Sequence, residues 1–355
     1  MVTPNSNIQK ILYRFYQTKF NPSSIAGKEE RVDSYLHEFC ERESKRLYQD
    51  IRVSSTETLR EINQIRHPFE TRLNERWGKP LDLLETFILT STAIGSYFNE
   101  KYRAKAAEEK DLEFDVITRL YGKACLIACE ILVLLRSGYA AGAEARWRSM
   151  HETAVTSRFI VKKGGDTAKR YLDYEVIESC KALEDYNKYA AKLGYEPIHE
   201  EDRVSMHDMK DSLIEKYGKL FGADYGWAAS ILKKRVTFRD IEEAVQMDHY
   251  RPYYRMASHH VHSSAKGILF NIGLLHNSDR LILSGPTNAG LADPGHSTAL
   301  SLSQATITLL SIRISPHNIA LLRLIAKFSK EIGEVFLAVH EEQVTEEKAK
   351  GMKLK

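Results

Sequence analysis

"ACLIACEILVLL", residues 124–135, is the most apolar stretch of the chain, and Glu130 is its one charged residue. At about a dozen residues it is too short to cross a bilayer, which takes about 20. Its surroundings decide how it folds. No proline occurs between Pro80 and Pro197, and apolar residues recur there at three and four. That is the period of helices that bury one face, not of strands. The stretch therefore predicts a buried helix over 112–136 and, extended along the chain, an all-α multi-helix bundle. Cys125 and Cys129, four apart within it, read as one buried helix face and not as a redox or metal pair.

Working outward, the same period predicts helices at roughly 28–50, 54–77, 80–106, 139–163, 166–193, 199–219, 237–248, 252–277, 296–314 and 317–340. Local punctuation supports several boundaries. Thr237 with Asp240 three residues on resembles a capping box, Pro252 suits a first helical turn, and Gly164-Gly165 separates two helices. "RLILSGPTNAGLAD", residues 280–293, lacks the helical period. Its turn signals at Gly285-Pro286 and Asn288-Ala289-Gly290 fit either a small hairpin built on Leu281, Leu283 and Leu291 or a long loop. The last dozen residues are charged and expected to fray. The more polar span 1–110 reads as a helical N-terminal extension, 111–316 as the core domain, and 317–355 as a C-terminal helix with a charged tail.

Composition narrows the function classes. The 355 residues are 43% hydrophobic and 28% charged, ordinary globular values that argue against disorder. A net charge of +3 gives no basic stripe of the kind a dedicated DNA-coating protein carries. The four cysteines form no C-x-x-C pair and are too few for a disulfide scaffold of this length. The N-terminus lacks the apolar run of a signal peptide, so the expectation is a soluble cytoplasmic protein without a membrane partner.

Two stretches concentrate chemistry. In "GYAAGAEARWRSMHE", residues 138–152, Glu144, Arg148 and Glu152 are spaced four apart and share a helix face, with His151 close by. The pattern is either an exposed ion-pair ladder or an arginine held between carboxylates, ready to meet a phosphate or carboxylate. In "RPYYRMASHHVH", residues 251–262, a helical wheel puts Tyr254, Ser258, Arg251, His262 and Arg255 within an arc of about 100°. His260 falls on the apolar side and reads as a core histidine, and His259 falls at the edge. His259 and His262 lack a carboxylate or cysteine at matching spacing, and Walker and dinucleotide loops are absent, so neither metal nor cofactor is expected. Ser258 as a nucleophile with His262 as its base lacks identifiable oxyanion donors.

These residues carry a resemblance. "LLRSGYAAGAEARWRSMHETAVTSRFIVKKGGDTAKRYLDY", "YGWAASI" and "YRMASHHVH" are similar to an uncharacterised family of bacterial all-helical proteins, a domain of unknown function. Its pattern falls here on Gly138, Arg148, Glu152, Tyr254, Ser258 and His262, and the likeness covers roughly 115–310. It implies a helical fold and a pocket in which Arg148 supplies charge, Glu152 orients it, and Tyr254, Ser258 and His262 bind or move protons. The chain also resembles the HEPN superfamily of helical ribonucleases, whose Arg-x(4–6)-His motif fits Arg146 with His151, and Arg255 with His260 or His262, on spacing. Of these, Arg255 and His262 lie within about 20° on a continuous helix. The likeness implies metal-independent RNA cleavage, with Arg255 on the phosphate, His262 as acid or base, and a site often completed across a homodimer.

Three readings follow. One is a ribonuclease-like or nucleotide-processing effector in bacterial stress response or phage defence, with His262, Arg255, Tyr254 and Ser258 catalytic and Arg148, Glu152 and Arg251 binding RNA or a nucleotide. Another is a non-enzymatic module that binds a small anion or nucleotide. The third is a structural or interaction protein whose polar faces only pair with each other.

Overall fold

The structure, a computed structural model, describes residues 6–17, 29–262, 264–274 and 282–353, and its regular elements are all helices. The chain divides into two compact units, 1–76 with 282–286, and 77–281 with 287–355.

In the first unit, α1 (Asn7–Tyr16) is capped by Ser6, whose hydroxyl accepts the Gln9 N–H at 3.3 Å. The Asn7 amide donates to Glu61 at 3.0 Å. Glu61 lies on α2 (Glu29–Glu108), an unbroken helix where the sequence predicts three. The expected break near residue 53 fails because Ser54 and Ser55 turn their hydroxyls back onto the carbonyls of Ile51 and Arg52, at 3.1 and 2.7 Å. They compete with no backbone group from outside the helix.

Within the second unit, α2 also runs through Pro80. A proline there removes one backbone bond and costs about 3 kcal/mol. Trp77, Leu81 and Leu84 around it are fully buried, and their packing offsets that loss. Next come α3 (Leu112–Arg136) and α4 (Ala140–Lys163), joined by a turn in which Gly138 takes a left-handed φ of 78°. The central apolar stretch behaves as its period requires, with Ala124, Ile127, Ala128, Ile131 and Leu135 fully buried. Cys125 is buried with them, and that burial pushes its thiol up to about 11. Cys129 is exposed, so the two cysteines do not share a buried face.

Tyr174 splits the expected helix 166–193 into α5 (Thr167–Asp173) and α6 (Glu175–Leu193). There follow α7 (Glu200–Tyr217), α8 (Gly226–Leu232) and α9 (Phe238–Val245). Then come α10 (Arg251–Val261), α11 (Ala265–Leu269), α12 (Ala292–Ser311) and α13 (Pro316–Lys353). The tail expected to fray is helical as far as Lys353. Of the candidate hairpin, Leu281 lies outside the described residues, and 282–290 is a loop without strand pairing.

The core sits on α12, which packs against α3, α4 and α13. The α12–α13 seam is reciprocal. A Cβ on Gly295 would lie 2.5 Å from the ring of Phe336, and one on Gly333 would lie 2.5 Å from the ring of His296. Each helix thus presents a notch for the other's ring.

Candidate functional site

α4 is fixed first on its inner face. The Trp147 indole donates to the Ser297 carbonyl and the Ser301 hydroxyl of α12, both at 2.9 Å. Anchoring that face leaves Glu144, Arg148, His151 and Glu152 turned toward α9 and α10, which pack on α4. α9 is started by its capping box, in which the Asp240 carboxylate accepts the Thr237 N–H at 2.7 Å. A short 3-10 turn at Asp248–Tyr250 then leads directly into α10, with Pro252 in its first turn.

Three polar contacts cross this junction. His260 and Glu144 face each other at 3.1 Å, with side chains 6% and 4% exposed, in close polar contact but not aligned as a hydrogen bond. His151 Nε2 lies 3.0 Å from Glu242 Oε1, both fully buried, and Arg251 takes the other oxygen of Glu242. The third contact is partly open to solvent. Arg148 Nε donates to Glu152 Oε1 at 3.2 Å, its guanidinium lies 4.7 Å over the Tyr254 ring, and Nη1 is 3.2 Å from Nε2 of His262. The Tyr254 hydroxyl donates to the same Glu152 oxygen at 2.5 Å. A guanidinium only donates, so His262 Nε2 accepts here and the ring proton sits on Nδ1. Burial, followed by the Glu152 carboxylate, raises the Tyr254 phenol well above its ordinary value and keeps it protonated.

The structure therefore brings Arg148, Glu152, Tyr254 and His262 together, and separates others that the sequence groups with them. Helix α10 ends at Val261, not near 277, and His262 is extended, with φ −108° and ψ 141°. The chain turns there because Ser264 caps α11 and Gly267 is packed against the His259 carbonyl, where a Cβ would sit 2.2 Å away. His259, at the edge of the wheel, is partly buried and contacts the Ser264 hydroxyl through Nδ1 at 3.0 Å. Because His262 is off the helix, the 20° relation to Arg255 fails. Arg255 is exposed, and the arginine at His262 is Arg148. Ser258 donates to the Tyr254 carbonyl of its own helix at 2.7 Å, and Arg251 serves Glu242. Of the other motif spacings, Arg146 pairs with Glu130 while His151 is buried against Glu242, and His260 faces Glu144.

Sequence reasoning missed Glu242, although a signal was available. Phe238, Ile241, Glu242 and Val245 are all buried and sit at i, i+3, i+4 and i+7, so a carboxylate interrupts an otherwise apolar stripe. A charge in that position needs a buried partner. Among the described residues, no group of three or more His, Cys, Asp or Glu side chains is placed to hold a metal ion. No described helix is long and apolar enough to cross a membrane.

Residues 114–280, a little under half of the chain, match a family of unknown function, DUF5677. The span contains Gly138, Arg148, Glu152, Tyr254, Ser258 and His262 and stops short of α12. No curated protein and no solved structure matches the chain.

Proposed function

We propose that the chain binds a phosphate-bearing ligand, a nucleotide or an RNA, on Arg148 and His262. The observation that carries this reading is a guanidinium held by Glu152 and the Tyr254 ring, 3.2 Å from an exposed imidazole. Arg148 has five N–H donors, of which one meets Glu152 and one His262, so others remain for phosphate oxygens. Its plane is set before a ligand arrives, which lowers the ordering cost of binding. A phosphate placed between Arg148 and His262 would meet both side chains.

A second reading, metal-independent RNA cleavage, rests on the same contact. It puts a phosphate-binding arginine beside an imidazole free to exchange protons with solvent, with Arg148 in the place the sequence gave to Arg255. Role in stress response or phage defence, and a site shared between two copies, belong to this reading.

One series of measurements tests both. Calorimetric titration with pyrophosphate and nucleoside monophosphates is expected to show binding that Arg148→Ala weakens about ten- to a hundredfold, and Arg148→Lys nearly as much. Unchanged affinity in Arg148→Ala removes the binding proposal. Labelled single-stranded RNA incubated with chelator present separates the second reading. Cleavage that disappears in His262→Ala supports it, and an intact RNA leaves binding alone.

A further inference from the structure

We propose that the outward face of α7 docks on the outward face of α13 of a second copy of this chain. Neither helix carries Arg148 or His262, so the contact stands apart from the ligand reading.

The first half of the surface is on α7. None of its side chains is buried, although the helix packs on α6 and on the turn at Lys219–Gly222. Its outward side holds an open depression of about 520 Å³, lined by Glu200, Glu201, Val204, Ser205, Asp208 and Met209. Val204 and Met209 are 49% and 50% exposed, and the three acids surround them. Exposed apolar side chains with a polar rim mark an interaction surface. Glu200 pairs with Arg203, while no described residue pairs with Glu201 or Asp208. The acids of the first turn suit the helix dipole, but Asp208, two turns in, is beyond its reach.

The matching half is on α13. Ile319 and Leu324 are 44% and 38% exposed. Arg323 and Lys327 are exposed beside them, and no described residue pairs with either cation. The two helices carry one pattern with the sign of the charge reversed. Val204, Asp208 and Met209 sit at i, i+4 and i+5, and so do Ile319, Arg323 and Leu324. Glu201 precedes Val204 by three residues, and Lys327 follows Leu324 by three. When the helices run antiparallel with Val204 level with Leu324, Glu201 is therefore level with Lys327. Asp208 then lies within one turn of Arg323.

Both faces are open in the single chain, which supplies the two halves itself with opposite charge and equal spacing. That complementarity identifies the occupant as another copy. About three helical turns on each side bury less than the roughly 1,600 Å² of a standard interface. The contact is accordingly weak and selected by its charges.

Sedimentation equilibrium of the whole chain from about 5 to 200 μM, at low salt, tests the assignment. The average mass is expected to rise with concentration, and about 0.5 M salt to reverse the rise. Asp208→Arg and Arg323→Asp are each expected to weaken association at least about tenfold, because each sets like charges together. Mixed in equal amounts, the two variants are expected to associate again, since each offers the other an opposite charge. Glu201→Lys with Lys327→Glu repeats the exchange if circular dichroism shows that either variant misfolds. A single-copy mass at every concentration, association that neither reversal weakens, or a mixture that stays apart overturns the proposal.

Discussion

Glu242 and His262 belong to the same junction but occupy its dry and wet ends. Glu242 is fully buried, and its two carboxylate oxygens meet His151 and Arg251. Glu242→Ala strands an imidazole and a guanidinium inside the junction, and the expected loss is about 3–5 kcal/mol of stability in urea titration. His262 is exposed at the end of α10, and His262→Ala is expected to shift stability by no more than about 0.5 kcal/mol. A loss in His262→Ala as large as that in Glu242→Ala would return this histidine to a purely structural role. The residue scale is also where the sequence was most informative about the site. Fourfold spacing placed Arg148 with Glu152, and the wheel put Tyr254 on the face that meets them. Arg255 and His262 do not share a helix face, because the wheel assumed a helix that continues past Val261.

Among the elements, α9 makes a pH prediction. The Lys234 ammonium, then the backbone and hydroxyl of Thr237, hold the Asp240 carboxyl down at about 2, against an ordinary value of 3.8. A carboxyl lowered by folding stabilises the native state above its unfolded value, and that contribution is lost as pH falls through the folded value. Asp240→Ala is therefore expected to cost about 1 kcal/mol at neutral pH. The gap to the wild type should close between 3.8 and about 2 in acid denaturation. A gap that stays constant with pH would mean that the cap contributes nothing through its charge. This capping box was legible because it depends on two residues three apart. The end of α10 was not, since it depends on Gly267 meeting a carbonyl eight residues earlier, a contact that periodicity does not encode. The merging of three expected helices into α2 has the same origin, because Pro80 is tolerated only through the buried side chains around it.

For the molecule as a whole, the all-helical class followed from the three-and-four period, and α3 from a single apolar stretch. The partners of each helix did not follow, because they are chosen by complementary shape. The α12–α13 seam illustrates this. Gly295→Ala is expected to destabilise the chain by about 1–3 kcal/mol, since the new methyl meets the fully buried Phe336 ring at 2.5 Å. A thermal scan checks it, and an unchanged melting temperature would mean that the ring has room to move aside.

That seam also limits how the two helices can be mispaired. A slip of α13 by one turn along α12 would take the Phe336 and His296 rings away from the two glycines that make room for them. Two keys cut for two locks at a fixed separation admit a single alignment. The two notches together therefore favour one register of α13 on α12 over its neighbours.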